Sequence, residues 1–461
     1  MLEVVKFLLF LLIFVFLPGK FLLSFSKVKT SAAESFFLSG ALGIILVTFL
    51  SFVLGYLKIG FLVFPLLIGL DLYLIAFQKW RPVFPEFSKK DILPIVVIGL
   101  GALFQSILLF KSGTSYHGGL AFWGVNGYDA IWHSALIQEL TTHFPPQNPG
   151  FAGEALKNYH FLTDLFLAQI HKATGIGILD LYFRFGPAFF TILLNSLIYL
   201  FLKRWSGKQS VALWGIFFIS IAGSFGWVPP LFGKGSNNWE TAFWSIQTPS
   251  SFVNPPFGVS LILLTAGLLL FNIYLKQPTF KLALILGLLF GSLIGFKSYA
   301  GVIVLGGLAI LAAFGLLKGK WHVLTLFVMS FLLSLMFYLP ISGGSTNYFV
   351  WQPWWFIQTM IEAPDRLNWS SLELRRQVYA LHSNWRNIFL LQAFAFFIFL
   401  FGNLGVRFFG FLGFGKKIMK EQINQFLLLL MIFAFFPPIF FIQKVVPWNA
   451  IQFFYYFIFL F

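Results

Sequence analysis

The chain contains no cysteine. Disulfides, thiolate nucleophiles and cysteine-ligated metals are therefore excluded. Charge is scarce as well. Asp, Glu, Lys and Arg make up 10% of 461 residues, against roughly 25% in a soluble globular domain. Acids are rarest, 15 against 31 Lys and Arg. No H-E-x-x-H pattern is present, so histidine-ligated zinc has no sequence support. No low-complexity linker and no internal repeat divides the chain, so one transmembrane domain over residues 1–461 is expected.

What the sequence has is apolar length. Hydrophobic residues make up 59% of it, in runs near the 20 residues that cross about 30 Å of hydrocarbon. The runs predict spans near 3–19, 36–56, 59–78, 92–110, 182–202, 211–228, 257–275, 280–296, 299–317, 321–341, 387–406, 424–442 and 450–461. The expected fold is all-α, a polytopic bundle of about 13 spans with helical loops. The first run has no A-x-A-like cleavage site and reads as a retained helix. The last residues, Ile458 to Phe461, lie inside an apolar run, so a C-terminal truncation is expected. The 65 Phe suit lipid-facing and packing surface.

The net charge of +16 comes from basic pairs and triplets between apolar runs, which points away from nucleic acid and toward loop bias. Short loops hold eighteen Lys and Arg (Lys20, Lys27, Lys29, Lys79, Arg81, Lys89, Lys90, Lys203, Arg204, Lys208, Lys276, Lys281, Lys318, Lys320, Arg407, Lys416, Lys417 and Lys420). The longer stretches 111–181, 229–256, 342–386 and 443–449 hold nine acids and six of the seven histidines. The positive-inside rule places the first set in the cytoplasm and the second outside.

The 111–181 stretch carries the densest chemistry. Asp129 and His133 are four apart, so a helix puts them on one face. Gly127 precedes them, and Ile131, Ala135, Leu136 and Leu140 predict an apolar stripe. An acid placed there can act as a general base or metal ligand, or it can cap the helix. Next comes a loop stiffened by Pro145, Pro146 and Pro149, carrying Glu154, Tyr159 and His160 as binding candidates. Asp164 and His171 follow on a short amphipathic segment. Lys297 stands between two apolar runs, where it can bind a phosphate or snorkel to the interface. Arg366, Arg375 and Arg376 lie among tryptophans. They suit phosphate recognition or headgroup contact. Asp71 sits inside a span with no evident partner.

Together these features resemble the GT-C superfamily of polytopic glycosyltransferases. Asp129-Ala-Ile-Trp-His133 looks like the Asp-x-x-Tyr-His pattern of oligosaccharyltransferase catalytic subunits, and resembles the acidic site of protein mannosyltransferase-like enzymes. Ala130 stands where a second acid is common, and about four spans precede this loop instead of one. Pro145-Pro146-Gln147-Asn148-Pro149, followed by Asn158-Tyr159-His160, is similar to GT-C-like prokaryotic membrane proteins with a YYY motif.

The resemblance implies an enzyme that moves a sugar from a polyprenyl-phosphate donor to a glycan, lipid or protein acceptor. It implies Asp129 and His133 as catalytic, and Glu154, Tyr159, His160, Lys297, Arg366, Arg375 and Arg376 as substrate-binding. A divalent metal ion is a candidate cofactor, and membrane lipid an expected partner. The expected location is the outer face of a prokaryotic plasma membrane. Two other readings stay open. A transporter or flippase predicts polar residues in several spans and inverted repeats. A scaffold predicts dispersed acids with no common site.

Overall fold

The computed structural model describes residues 1–77, 88–234, 240–344, 349–413, 415 and 420–461. The expected loop residues Lys79, Arg81, Lys416 and Lys417 lie outside the described residues. Regular structure among the described residues is helical, apart from two antiparallel ribbons. Thr114–Tyr116 pairs with Gly119–Ala121, and Phe349–Trp351 with Phe441–Gln443.

Eight helices are long and apolar enough to cross a membrane: Leu2–Phe25, Ala32–Tyr56, Ile178–Ser206, Pro255–Tyr274, Ser298–Leu316, Trp321–Ile341, Trp385–Gly413 and Gln422–Phe440. At 1.5 Å per residue such helices match the roughly 30 Å of a bilayer core. The chain is an integral membrane protein of all-α type. The other expected spans are helical but shorter: Gly60–Ala76, Ile92–Ser106, Gln209–Ser220, Phe280–Phe296 and Gln452–Leu460.

The chain separates into two compact units, Met1–Ser220 with Ser251–Gly344, and Ile221–Ser250 with Ser345–Phe461. In the first, the Pro255–Tyr274 helix is buried along its whole length. Its residues are apolar on every face, and such a helix belongs inside a bundle. Leu2–Phe25 and Ala32–Tyr56 approach closely at glycine. A Cβ on Gly43 would stand 1.9 Å from the Val15 carbonyl oxygen. Small residues let membrane helices meet backbone to backbone. Asn195 bridges two further helices, donating to Gln105 at 2.8 Å and accepting from Ser220 at 2.5 Å.

Polar groups gather at the two ends of this unit. At one, Ser31 and Glu34 form a capping box that opens the Ala32–Tyr56 helix. Glu34 also receives two bonds of 2.6 Å from Arg204. Arg204 belongs to the expected basic-loop set. At the other, the Asn158 backbone N–H donates to the Ile341 carbonyl at 2.9 Å, and Gly343 N–H to Asn158 Oδ1 at 3.1 Å.

The second unit differs from expectation in one respect. Arg407 is expected in a basic loop, and Gln247 with Thr248 in a loop on the opposite side. All three share a buried polar knot: Arg407 donates to Gln247 Oε1, to Thr248 Oγ1 at 3.5 Å and to the Leu404 carbonyl at 3.1 Å. Asn403 also donates to the Phe243 carbonyl at 2.9 Å. The segment before Ser250 therefore packs as buried, irregular backbone beside the end of the Trp385–Gly413 helix. Non-helical backbone is tolerated among membrane helices only where it is buried in protein or lines a water-filled cavity. Here the Phe243 carbonyl accepts from Asn403, and the Gln247 N–H donates to Glu240 Oε1 at 2.8 Å.

Candidate functional site

Asp129 is the first residue of the Asp129–Thr142 helix. The cap position is Tyr128, and no side chain caps the helix start. The Asp129 carboxylate does not bond the helix N–H groups as a cap would. It is exposed, and its Oδ2 accepts a bond from Asn254 Nδ2 at 3.3 Å. Asn254 in turn accepts at Oδ1 from Lys297 Nζ, 3.2 Å away. Lys297 is 4% exposed, at the break between Phe280–Phe296 and Ser298–Leu316. Burial holds its amine down to about 8, opposed by the Asp129 and Asp164 carboxylates.

His133 lies one turn after Asp129 and is 1% exposed. Its partner is not Asp129. Nδ1 stands 2.9 and 3.1 Å from the two oxygens of Asp164, a fully buried acid on the Leu162–Thr174 helix. A carboxylate only accepts, so Nδ1 carries the hydrogen. Nε2 faces the Tyr159 hydroxyl at 3.4 Å, and the imidazole stacks on Tyr182. Burial first, then the Asp164 and Asp129 carboxylates, push the Tyr159 phenol well up; the Trp132 indole N–H acts weakly the other way, since it forms no hydrogen bond of normal geometry. Tyr159 therefore stays protonated near neutrality.

His160 stacks on Tyr159, 4.9 Å between ring centres and 10° from parallel. Its Nδ1 is 3.4 Å from Ser298 Oγ. Burial, then Lys297 and His133, hold its imidazole well below the usual value, so it is neutral. Asp129, His133, Tyr159, His160 and Lys297 therefore form one cluster in the first unit. Glu154 stays apart on the exposed part of the proline loop, where its carbonyl accepts from Asn148 N–H at 2.8 Å.

The three arginines belong to the second unit. Arg376 forms a fork with Glu373, at 2.8 and 2.6 Å, on the same helix. Arg366 lies over the Trp244 ring at 4.1 Å and beside Asp365 at 3.4 Å. Arg375 is exposed.

Asp164 and Asn254 complete the cluster, and neither stands out in the sequence as a site residue. Asp164 is the lone acid in the fully buried run Leu162 to Ile170; an acid in such a run needs a partner. Asn254 precedes two prolines and an apolar run, the mark of a helix cap. Among the described residues, no three His, Asp or Glu side chains stand together as ligands for a metal ion. The cluster offers proton acceptors, a cation and a hydroxyl. No family model, curated protein or solved structure matches the chain.

Proposed function

We propose that the protein is a GT-C-like membrane glycosyltransferase of thirteen spans, acting on the outer face of a prokaryotic plasma membrane. It takes a sugar from a polyprenyl-phosphate donor and passes it to a hydroxyl of a glycan, lipid or protein acceptor. The observation that carries the reading is the convergence of Asp129, Asn254 and Lys297: an exposed acid and a buried amine linked through one amide. A scaffold needs no acid linked to a buried amine.

Asp129 accepts the proton of the acceptor hydroxyl. The oxygen lone pair forms the new bond to the anomeric carbon. The bond from that carbon to the donor phosphate breaks, and its electron pair leaves on the phosphate oxygen. Direct displacement by one base inverts the anomeric centre. Lys297 stabilises the departing phosphate by charge. His133, held by Asp164, keeps Tyr159 and His160 in place for the acceptor. Arg366, Arg375 and Arg376 remain phosphate candidates of the second unit, Arg375 being the exposed one.

Asp129→Asn tests the reading. Because Asp129 caps nothing, the substitution should leave the melting temperature in detergent nearly unchanged. An amide cannot take the proton, and loss of a positioned base lowers the rate about 10²–10⁴-fold. Sugar transfer retained at the wild-type rate would remove Asp129 from this role.

A further inference from the structure

We infer that Asn254 is a positioning residue that aims the Asp129 carboxylate at the acceptor, through an amide whose direction the Pro255–Tyr274 helix dictates. The inference rests on the role of Asp129 proposed above.

The two ends of an asparagine amide look alike in shape, so their partners must decide which is which. One end of Asn254 meets two groups. The Phe257 backbone N–H lies at 3.2 Å and Lys297 Nζ at 3.2 Å. A backbone N–H only donates, as does an ammonium, so this end is oxygen. The other end is then the NH₂, which only donates, and it faces Asp129 Oδ2 at 3.3 Å. Asn254 caps its helix with the same oxygen that holds Lys297. The cap fixes the rotation of the amide, and the amide fixes Oδ2. Among the described residues Oδ1 of Asp129 has no hydrogen-bond partner, and it remains for the acceptor hydroxyl.

The same amide keeps Lys297 and Asp129 from pairing directly, and no ion pair joins them among the described residues. A direct pair would stabilise the carboxylate and make it a weaker base. One intervening amide holds the base and the cation in one site without joining them.

Asn254→Asp tests this. Aspartate caps a helix as well as asparagine does, and it still accepts from Phe257 and Lys297. It also sets two carboxylates about 3.3 Å apart, where they share a proton. The acidic limb of kcat/KM against pH should move up by about one unit or more, a loss of about tenfold per unit on that limb. The other titratable groups facing the cluster are unaltered: His133 on the same helix, Asp164 on Leu162–Thr174, Tyr159 and His160 on the loop, Tyr182 stacked on His133, and Lys297 at its helix break.

Melting the purified protein from pH 5 to 9 tests the contact without any substrate. The shared proton is held more tightly in the folded state, so Asn254→Asp should lose stability as pH rises. The double variant Asp129→Asn with Asn254→Asp restores one acid and one amide, and should melt like wild type across the range. Two results overturn the inference. One is an unshifted melting profile in Asn254→Asp. The other is a pH-independent deficit that the double variant does not rescue. If the wild-type protein transfers no sugar, the glycosyltransferase reading falls and the melting comparison alone decides the role of Asn254.

Discussion

Lys297 shows how far a single residue type can be read from its position. A lysine between two apolar runs predicts a functional group or a snorkelling one, and the sequence does not separate them. The side chain is buried, with its amine on Asn254, so it does not reach for water. A titration follows from this. Burial lowers the folded amine from 10.5 to about 8. Below pH 8 both states keep the proton, and the full penalty of a buried ammonium is present. Between about 8 and 10.5 the folded amine releases it while the unfolded one does not, so stability rises with pH. The gain is on the order of 3 kcal/mol. Thermal melts of wild type and Lys297→Met at pH 7 and pH 9.5 should show the rise in wild type only. An equal response in both would mean that the amine is not depressed.

Among the elements, the Asp129–Thr142 helix departs most from its sequence reading. The expected stripe was Ile131, Ala135, Leu136 and Leu140. The buried residues are Ala130, His133, Leu136, Ile137 and Leu140, while Ile131 and Ala135 are exposed. The stripe turns because His133 occupies its centre. A polarity scale counts histidine as solvent-facing, yet a buried carboxylate makes it a core residue. Asp164 therefore joins this helix to Leu162–Thr174. Asp164→Ala should lower the unfolding free energy by about 1–3 kcal/mol, because it strands a buried donor. Asp180→Asn, at a half-exposed acid paired with Arg184, should change it by less than about 1 kcal/mol. Detergent melts of the two variants make the comparison, and equal stability would remove the His133–Asp164 pair as a structural link.

For the whole molecule, charge asymmetry predicts that 111–181 and 342–386 face the exterior and that Lys318 faces the cytoplasm. Single cysteines introduced at Ala152 and Ser371 should react with an impermeant maleimide in intact cells, and one at Lys318 only after lysis. The chain has no cysteine of its own to interfere. Labelling of all three in intact cells would overturn this topology. The polar knot of Arg407 with Gln247 shows where the rule has least force. It counts charges in loops, and Arg407 is a buried residue that neutral groups satisfy.

The membrane class and the helical character of every expected span follow from the sequence itself, because hydrophobic length and backbone satisfaction in lipid are local demands. Asp129, His133, Tyr159, His160 and Lys297 were also legible, as polar groups where apolar ones prevail. Their partners were not. His133 meets Asp164 across 31 residues, and Asp129 meets Asn254 across 125. No periodicity reports a contact of that separation. Only the packing of helices in the first unit decides which acid is buried with the imidazole and which stands exposed beside the amide.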